Sequence, residues 1–435
     1  MTETTITKVR ARWILDSRGN PTVEADVFCG DAFARAAVPS GASTGEAEAL
    51  ELRDGGKAFL GRGVQRAVSN VNDVIAPVVT GMDVREQVAI DRAMIELDGT
   101  DNKGKLGANA VLAVSLACAR LAARLEGVPL FAYLYQLSHG KTRGNFLMPV
   151  PMSNVLNGGK HAGSNLAIQE FMIMPVGARS FTEALRMTAE TYHHLRAILL
   201  KEYGKSSVNV GDEGGFAPNM QKTTDALDCI IAAIEAAGYT PGLDFLLAMD
   251  AAASEFYDAG SQVYKIDGRN LDAGDMVEYY LELLADYPLK SLEDPFDEEA
   301  FDTFALLTKK VHDVTIVDDD ITVTNVRRLQ RAIDMKAGNA LLLKVNQIGS
   351  LTEAIEAATL SFKNGFKVVT SHRSGETCDS FIADLAVGLC CGLIKTGAPC
   401  RSDRNAKYNQ LLRIEQMLED RAAYPESLNA WRGYL

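Results

Sequence analysis

The chain has little that would serve a nucleic acid, a membrane or an oxidising compartment. Its 44 lysines and arginines are outnumbered by 57 aspartates and glutamates, a net charge of −13. That balance excludes nucleic acid and anionic membrane surfaces as main partners. A small anionic substrate stays compatible, provided metal ions or a local basic cluster reverse the sign inside one cleft. The seven cysteines (Cys29, Cys118, Cys229, Cys378, Cys390, Cys391, Cys400) are scattered, and no CxxC spacing occurs. Neither a disulfide framework nor a zinc ribbon is indicated, and a reducing cytoplasm fits. The opening MTETTITKVRARW lacks the apolar core of a signal peptide. The longest uncharged apolar stretch, Leu106–Ala119, is followed by Arg120 and Arg124 and is too short to span a bilayer. It reads as a buried, alanine-rich helix.

What is present is a globular composition, 47% hydrophobic and 23% charged. The 435 residues exceed one ordinary core, so two domains, or a large barrel with a smaller lobe, are expected. Residues 6–38 carry the pattern of an antiparallel meander. Val9, Ala11, Trp13 and Leu15 alternate with Lys8, Arg10 and Arg12, and Val23, Ala25, Val27 and Cys29 with Thr22, Glu24 and Asp26. The turn SRGNP separates the two runs. A third run, Phe33–Val38, leads into PSGASTG, whose glycines and hydroxyls suit a surface loop or a mobile lid. From Glu46 to Glu126 the periodicity is helical, with pieces at Val84–Leu97 and Asn109–Glu126. A meander followed by helices makes an α+β lobe, placed at residues 1–139 with its lid at 38–45. Residues 140–435 form the second unit.

There, strand-like runs alternate with helical segments. Ser350 and Glu353 predict a capping box, and Leu351, Ile355, Ala358 and Phe362 share one helix face. Asn364-Gly365 predicts a left-handed stop. Six apolar runs end in polar residues: Asp250, Glu293, Asp318 to Asp320, Lys344, His372 to Ser374, and Lys395. Counted from Asp250 through Glu293, Asp319, Lys344, His372 and Lys395, the spacings are 43, 26, 25, 28 and 23 residues. Four of the five suit a strand, a helix and two short loops, and a parallel α/β barrel puts all such ends on one rim.

Three of those ends are carboxylates, which repel unless a hard cation, most simply Mg²⁺, joins them. Strand alternation puts Val317 with Asp319 and Ile316 with Asp318, favouring Asp319 as the ligand while leaving the choice open. Lys344, His372, Arg373 and Lys395 supply the opposing cations. Arg373 could fork onto a phosphate or carboxylate, and Lys344 could act as a base if burial and cationic neighbours lower its pKa. Two glycine-rich loops, LNGGKHAGSNLAIQEF around His161, Gln169 and Glu170, and NVGDEGGFAPN around Glu213, match no P-loop or GxGxxG fingerprint. His139, His193, His194 and His312 read as structural or surface residues.

The strings SRGNPTVE, VPSGASTGE, KLGANAVLAVSLA, NVLNGGKHAG, QEFMIMP, NVGDEGGFAPN, SLEDPF, DDDITVTN, LLLKVNQIGSLTEA, TSHRSGET and IKTGAP resemble the enolases of bacterial type over nearly the whole chain. The resemblance implies an N-terminal α+β lobe and an eightfold TIM-like α/β barrel whose first units depart from regular alternation. It implies interconversion of 2-phosphoglycerate with phosphoenolpyruvate, two Mg²⁺ ions, and a homodimer or ring of dimers. By motif, Lys344 would take the C2 proton and Glu213 would protonate the leaving hydroxyl, with Glu170 positioning it. Asp250, Glu293 and Asp319 would hold one metal and Ser43 the second. His161, Gln169, His372, Arg373, Ser374 and Lys395 would line the substrate site. Asp318 stands where the family commonly has a small residue. Family members also occur in RNA-degradation assemblies and at cell surfaces, the latter often through a terminal lysine, whereas this chain ends Arg432-Gly433-Tyr434-Leu435. The rival readings are another superfamily dehydratase or racemase, and a non-catalytic scaffold or surface-binding protein. The first would share the rim acids but not the Ser43 loop, the Glu213 motif or Arg373-Ser374.

Overall fold

A computed structural model describes residues 3–41, 45, 47–142, 144–159 and 166–429. Ser43, His161 and the last six residues therefore lie outside the described residues.

The meander forms as its alternation predicts. Strands β1 (Lys8–Leu15), β2 (Pro21–Cys29) and β3 (Ala32–Ala37) pair antiparallel in that order. Val23, Ala25, Val27 and Cys29 are buried under helix α2 (Ala108–Glu126), against which α1 (Gln87–Asp98) packs. Helix α2 is long and apolar enough to cross a membrane by composition alone, but 83% of its apolar window is buried inside the protein. One expectation fails on β1. Val9 and Ala11 are buried, whereas Trp13 and Leu15, on the same face, emerge from the core and are 45% and 55% exposed. Trp13 meets the ring of Phe59 edge-on, and Leu60 beside it is 93% exposed.

Eight strands close the barrel: β4 (Val150–Asn157), β5 (Glu170–Met174), β6 (Leu246–Asp250), β7 (Leu289–Glu293), β8 (Thr315–Asp318), β9 (Ala340–Leu343), β10 (Lys367–Ser371) and β11 (Gly392–Lys395). Strands β6 to β11 and then β4 run parallel around the ring, while β5 is antiparallel to both β4 and β6. This reversal has a consequence for function. The start of β5 lies level with the end of β6, Glu170 opposite Asp250, so residues preceding an apolar run can also reach the rim. The long step from Asp250 to Glu293 is explained by an inserted three-stranded sheet, Tyr257–Asp258, Val263–Ile266 and Arg269–Leu271.

Both faces of β9 are buried, as a continuous apolar run requires. Ala340 and Leu342 join Met152, Met172, Val317 and Val369 inside the barrel. Leu341 and Leu343 point outward into a core shared with Leu116 of α2 and Leu351 of helix α4 (Leu351–Lys363). Helix α3 (Phe181–Tyr203) lies earlier in the chain on the barrel's outside. Each fully buried leucine contributes roughly 1.5–3 kcal/mol relative to exposure. Lobe and barrel are also joined by a buried polar contact, Asp91 accepting from Thr352 N at 2.9 Å and from its Oγ1 at 2.6 Å.

Helix α4 starts and stops where its sequence predicts. Ser350 Oγ accepts from Glu353 N, and Gly365, φ +76°, provides the left-handed exit. The reciprocal half of the capping box is replaced: Glu353 accepts from the Ser350 hydroxyl and pairs with Lys103 at 2.9 Å. His193 and His194 lie on the exposed face of α3.

Candidate active site

The rim is organised around two lysines. Lys395, at the end of β11, reaches across the barrel mouth. Its Nζ lies 2.9 Å from Asp250 Oδ2, 2.8 Å from Glu293 Oε1 and 3.2 Å from Glu170 Oε2. All four side chains are buried. Burial opposes ionisation of each carboxyl, and their mutual repulsion adds to it. For Glu293 and Glu170 the two effects push the pKa well above the usual carboxylate range. At Asp250 burial is outweighed by Lys395, which holds the carboxyl below that range. Burial likewise works against the charge on Lys395, and Asp250, Glu170 and Glu293 more than reverse it.

The second lysine, Lys344, follows β9 and is ion-paired with Asp319 Oδ2. Gln347 Nε2 holds the other oxygen at 2.8 Å. The expectation that Lys344 would have a lowered pKa is not met in this state. Burial, Arg373 and Lys395 do pull it down, but the carboxylates of Asp319 and Glu293 prevail and raise it.

The carboxylate oxygens of Asp294, Asp319 and Asp320 come within 4.8 Å of one another, which suggests a different acid cluster from Asp250, Glu293 and Asp319. Hydrogen bonding separates the two sets. Asp294, held at φ +42°, accepts from Asp319 N at 3.0 Å and from Asp320 N at 2.9 Å, so both its oxygens are engaged in shaping the loop. Asp320 is pushed up to about 8 by burial and then by Asp319. Asp318 points away from the mouth. Val317 faces the barrel interior, so Asp318 faces outward, fully buried against Gly338, where a side chain would have no room. Neither of its oxygens has a hydrogen-bond partner among the described residues. Strand alternation thus separates Asp319, which lines the cleft, from Asp318, which does not.

A third group surrounds Glu213. Its Oε2 accepts from Asn154 Nδ2 at 3.1 Å and lies 3.3 Å from His372 Nε2. His372 is held well below its normal range, at about 3, by burial first and by Arg404 against the opposing pull of Glu213. Arg373 is bidentate with Glu48, at 3.0 and 3.1 Å, and donates to Asn346 Oδ1 at 3.0 Å. Ser374 Oγ accepts from Arg18 at 3.4 Å. Gln169 Nε2 lies 3.4 Å from Asp250 Oδ2. Gly397, φ +81°, runs so close to the Glu213 carbonyl that a Cβ would collide with it and crowd the Arg404 side chain.

Of the residues singled out in the sequence, Lys344, Glu213, Glu170, Gln169, His372, Arg373, Ser374, Lys395, Asp250 and Asp319 line this one cleft, and Glu293 touches it through Lys395. Sequence patterns missed Glu48, Asn154, Asp294 and Arg404. Glu48 follows the lid, Asn154 is internal to β4, and Arg404 sits in helix α5 (Ser402–Leu418), where an arginine ordinarily faces solvent. The one available signal was Asp294, adjacent to Glu293 in SLEDPF.

The donor set fits a hard divalent cation. Six carboxylates line the cleft (Glu170, Glu213, Asp250, Asp294, Asp319, Asp320), Glu293 adjoins it, and Lys344, Arg373 and Lys395 are the cations facing them, leaving four acids in excess. Glu293 Oε2 is buried without a hydrogen-bond partner among the described residues. All the ligand atoms are oxygens, as Mg²⁺ prefers.

Comparison with known proteins agrees with this architecture. The family model "Enolase, N-terminal domain" matches residues 6–134, and "Enolase, C-terminal TIM barrel domain" matches residues 145–430. The chain is 59% identical over 421 residues to the enolase of Thermococcus gammatolerans, covering 97% of this chain and 96% of that one. It is 57% identical over 420 residues to that of Pyrococcus furiosus, covering 96% of each. With that of Methanocaldococcus jannaschii it shares 56% over 414 residues, 95% of each. These relatives are archaeal rather than bacterial. Matched in both halves, and more than half identical to these relatives over nearly its full length, the chain belongs to the enolase family.

Proposed function

We propose that this chain interconverts 2-phospho-D-glycerate with phosphoenolpyruvate and water, in the cytoplasmic setting of glycolysis and gluconeogenesis. The observation that carries the proposal is the excess of four carboxylates in and beside a cleft that also holds a buried lysine, Lys344, and a hydrogen-bonded acid, Glu213. A racemase or cycloisomerase would need the rim acids and a base, but has no use for Glu213 or for the Arg373 fork.

Lys344 removes the C2 proton. In this state it keeps its own proton because Asp319 attracts it, so Asp319 must be engaged elsewhere before Lys344 becomes a base. Asp250, Glu293 and Asp319 would hold one Mg²⁺, and Ser43 the second. The chemistry such ions would supply is neutralisation of the second negative charge that develops beside the substrate carboxylate when C2 loses its proton. Lys395 adds a fixed positive charge at the same place. Glu213 gives its proton to the departing C3 hydroxyl, because hydroxide leaves poorly, and Glu170 positions it. Arg373 and Ser374 take the phosphate, with Gln169, His161 and His372 along the walls. The Arg373 fork is presently filled by Glu48, so a phosphate binds there by displacing that carboxylate.

The division into residues 1–139 and 140–435 is read the same way. A homodimer, or a ring of dimers, is supported by the apolar patch of Trp13, Leu15 and Leu60 on the lobe, and sedimentation velocity checks it. The activity test is direct. Purified protein with 2-phosphoglycerate and Mg²⁺ should generate the ultraviolet absorbance of a conjugated alkene, and EDTA should abolish it. No absorbance change in metal-replete buffer overturns the proposal.

A further inference from the structure

Arg404 is fully buried and uses its guanidinium to tie together three parts of the mouth. One terminal nitrogen donates to the Arg373 carbonyl, and also to His372 Nδ1 at 2.6 Å. The other donates to the Asp212 carbonyl at 3.0 Å and to the Ser374 carbonyl. Its Nε lies 2.8 Å from Asp403. A guanidinium has five donors and no acceptor, and stays protonated in proteins. The ring nitrogen it donates to must therefore present a lone pair.

We infer that Arg404 is a positioning residue: it fixes His372 as the neutral tautomer protonated at Nε2, so that the ring turns its N–H toward Glu213. His372 Nδ1 is committed to Arg404, so the single imidazole proton sits on Nε2, 3.3 Å from Glu213 Oε2. The same Oε2 accepts from Asn154 Nδ2 at 3.1 Å. Glu213 Oε2 is thus held by the Asn154 amide and approached by the ring N–H of His372.

In the dehydration step the C3–O bond breaks and its electron pair leaves with oxygen. The Glu213 proton completes water, and the new charge on Glu213 is met by Asn154 Nδ2 and the nearby His372 Nε2–H. A protonated His372 would instead compete as the acid. Arg404 and Lys395 both oppose that protonation, and Glu213 favours it. The proton-transfer part rests on the acid role proposed for Glu213; the tautomer does not.

The test is a long-range ¹H–¹⁵N correlation spectrum of histidine-labelled protein, recorded from pH 8.5 to pH 5. Comparison with His372→Gln identifies the signal among six histidines. The expected pattern is an unprotonated Nδ1 and a protonated Nε2 that does not titrate over this range. A proton on Nδ1, or an imidazolium appearing near neutrality, overturns the inference. In Arg404→Lys the tautomers should mix and the ring should begin to titrate. The kcat should then fall by about 10–100-fold, the scale seen when an orienting partner is lost, with KM little changed. An unchanged tautomer in a folded Arg404→Lys protein also overturns it. Should that variant not fold, two others serve. The amide of His372→Gln can reach the Nε2 position and that of His372→Asn cannot, so the glutamine variant should keep the higher kcat; the reverse order overturns the inference. If the tautomer is as expected but Glu213→Gln retains full turnover, the acid assignment falls and the tautomer stands.

Discussion

The two sides of the cleft solve the problem of buried charge in opposite ways. Around Lys395, the carboxyls of Asp250, Glu170 and Glu293 share one cation, and Glu293 keeps an oxygen without a hydrogen bond among the described residues. Around Glu213, fixed donors orient the groups: Asn154 Nδ2 reaches the acid, and the two terminal nitrogens of Arg404 reach the imidazole and the carbonyls of Arg373, Asp212 and Ser374. Arg404 Nε and His372 Nε2 have no hydrogen-bond partner among the described residues. The first arrangement is electrostatically incomplete and changes when a cation arrives. The second is tied to the backbone through Arg404 and is set before substrate binds. Metal response should therefore belong to one side, and fixed proton positions to the other.

The largest effect that could break this division is on Lys344, which lies on the incomplete side. Lys344→Ala should lower kcat by at least roughly 10²–10⁴-fold, as removal of a general base does. Exchange of the C2 proton with solvent should be lost in parallel. Exchange that survives while turnover falls would remove Lys344 from its role.

Next comes Glu293→Gln, read by thermal unfolding in EDTA and in Mg²⁺. At a hundredfold excess over Kd a single bound ion stabilises a protein by about 2.7 kcal/mol. That increment should largely vanish in the variant. The metal-free variant should also be the more stable protein at neutral pH. The folded-state pKa of Glu293 is raised above its unfolded value, so its contribution is lost as pH rises from the ordinary glutamate range toward the folded pKa. Glutamine, having no proton to lose, escapes that penalty. Wild-type Mg²⁺ stabilisation in the variant would assign the metal to other residues.

The smallest effect sharpens the boundary between neighbours in sequence. Asp318→Ala should leave the Mg²⁺ response intact, since that carboxyl faces the helices. It should raise stability by about 1–3 kcal/mol through removal of an unsatisfied buried acid. A loss of Mg²⁺ affinity would show that the strand face has been misassigned.

Much of this was legible in the residues. The ends of β6, β7, β9 and β11 were readable because a buried parallel strand is an uninterrupted apolar run that stops where it meets solvent or substrate. Asp319 could be preferred over Asp318 because a strand has a period of two. Arg404 could not be read, because its burial comes from packing against Gly397 and His372, and sequence periodicity carries no such information. Trp13 misled for a related reason: alternation reports which face a residue shares, not how far along the strand the covering layer extends. The pKa of Lys344 was open to the same difficulty, since its sign depends on whether Asp319 touches it.

The antiparallel β5 also sets an order on assembly. Asn157 and Glu170 pair across a hairpin, a local contact that can form early. Lys395, in contrast, takes its place only when β11 docks beside β4, joining Ile394 to Pro151 across most of the chain. Until that seam closes, the carboxyls of Glu170, Asp250 and Glu293 gather without their lysine. In refolding, catalytic competence should therefore be the last property recovered, trailing helix content and the burial of the lobe.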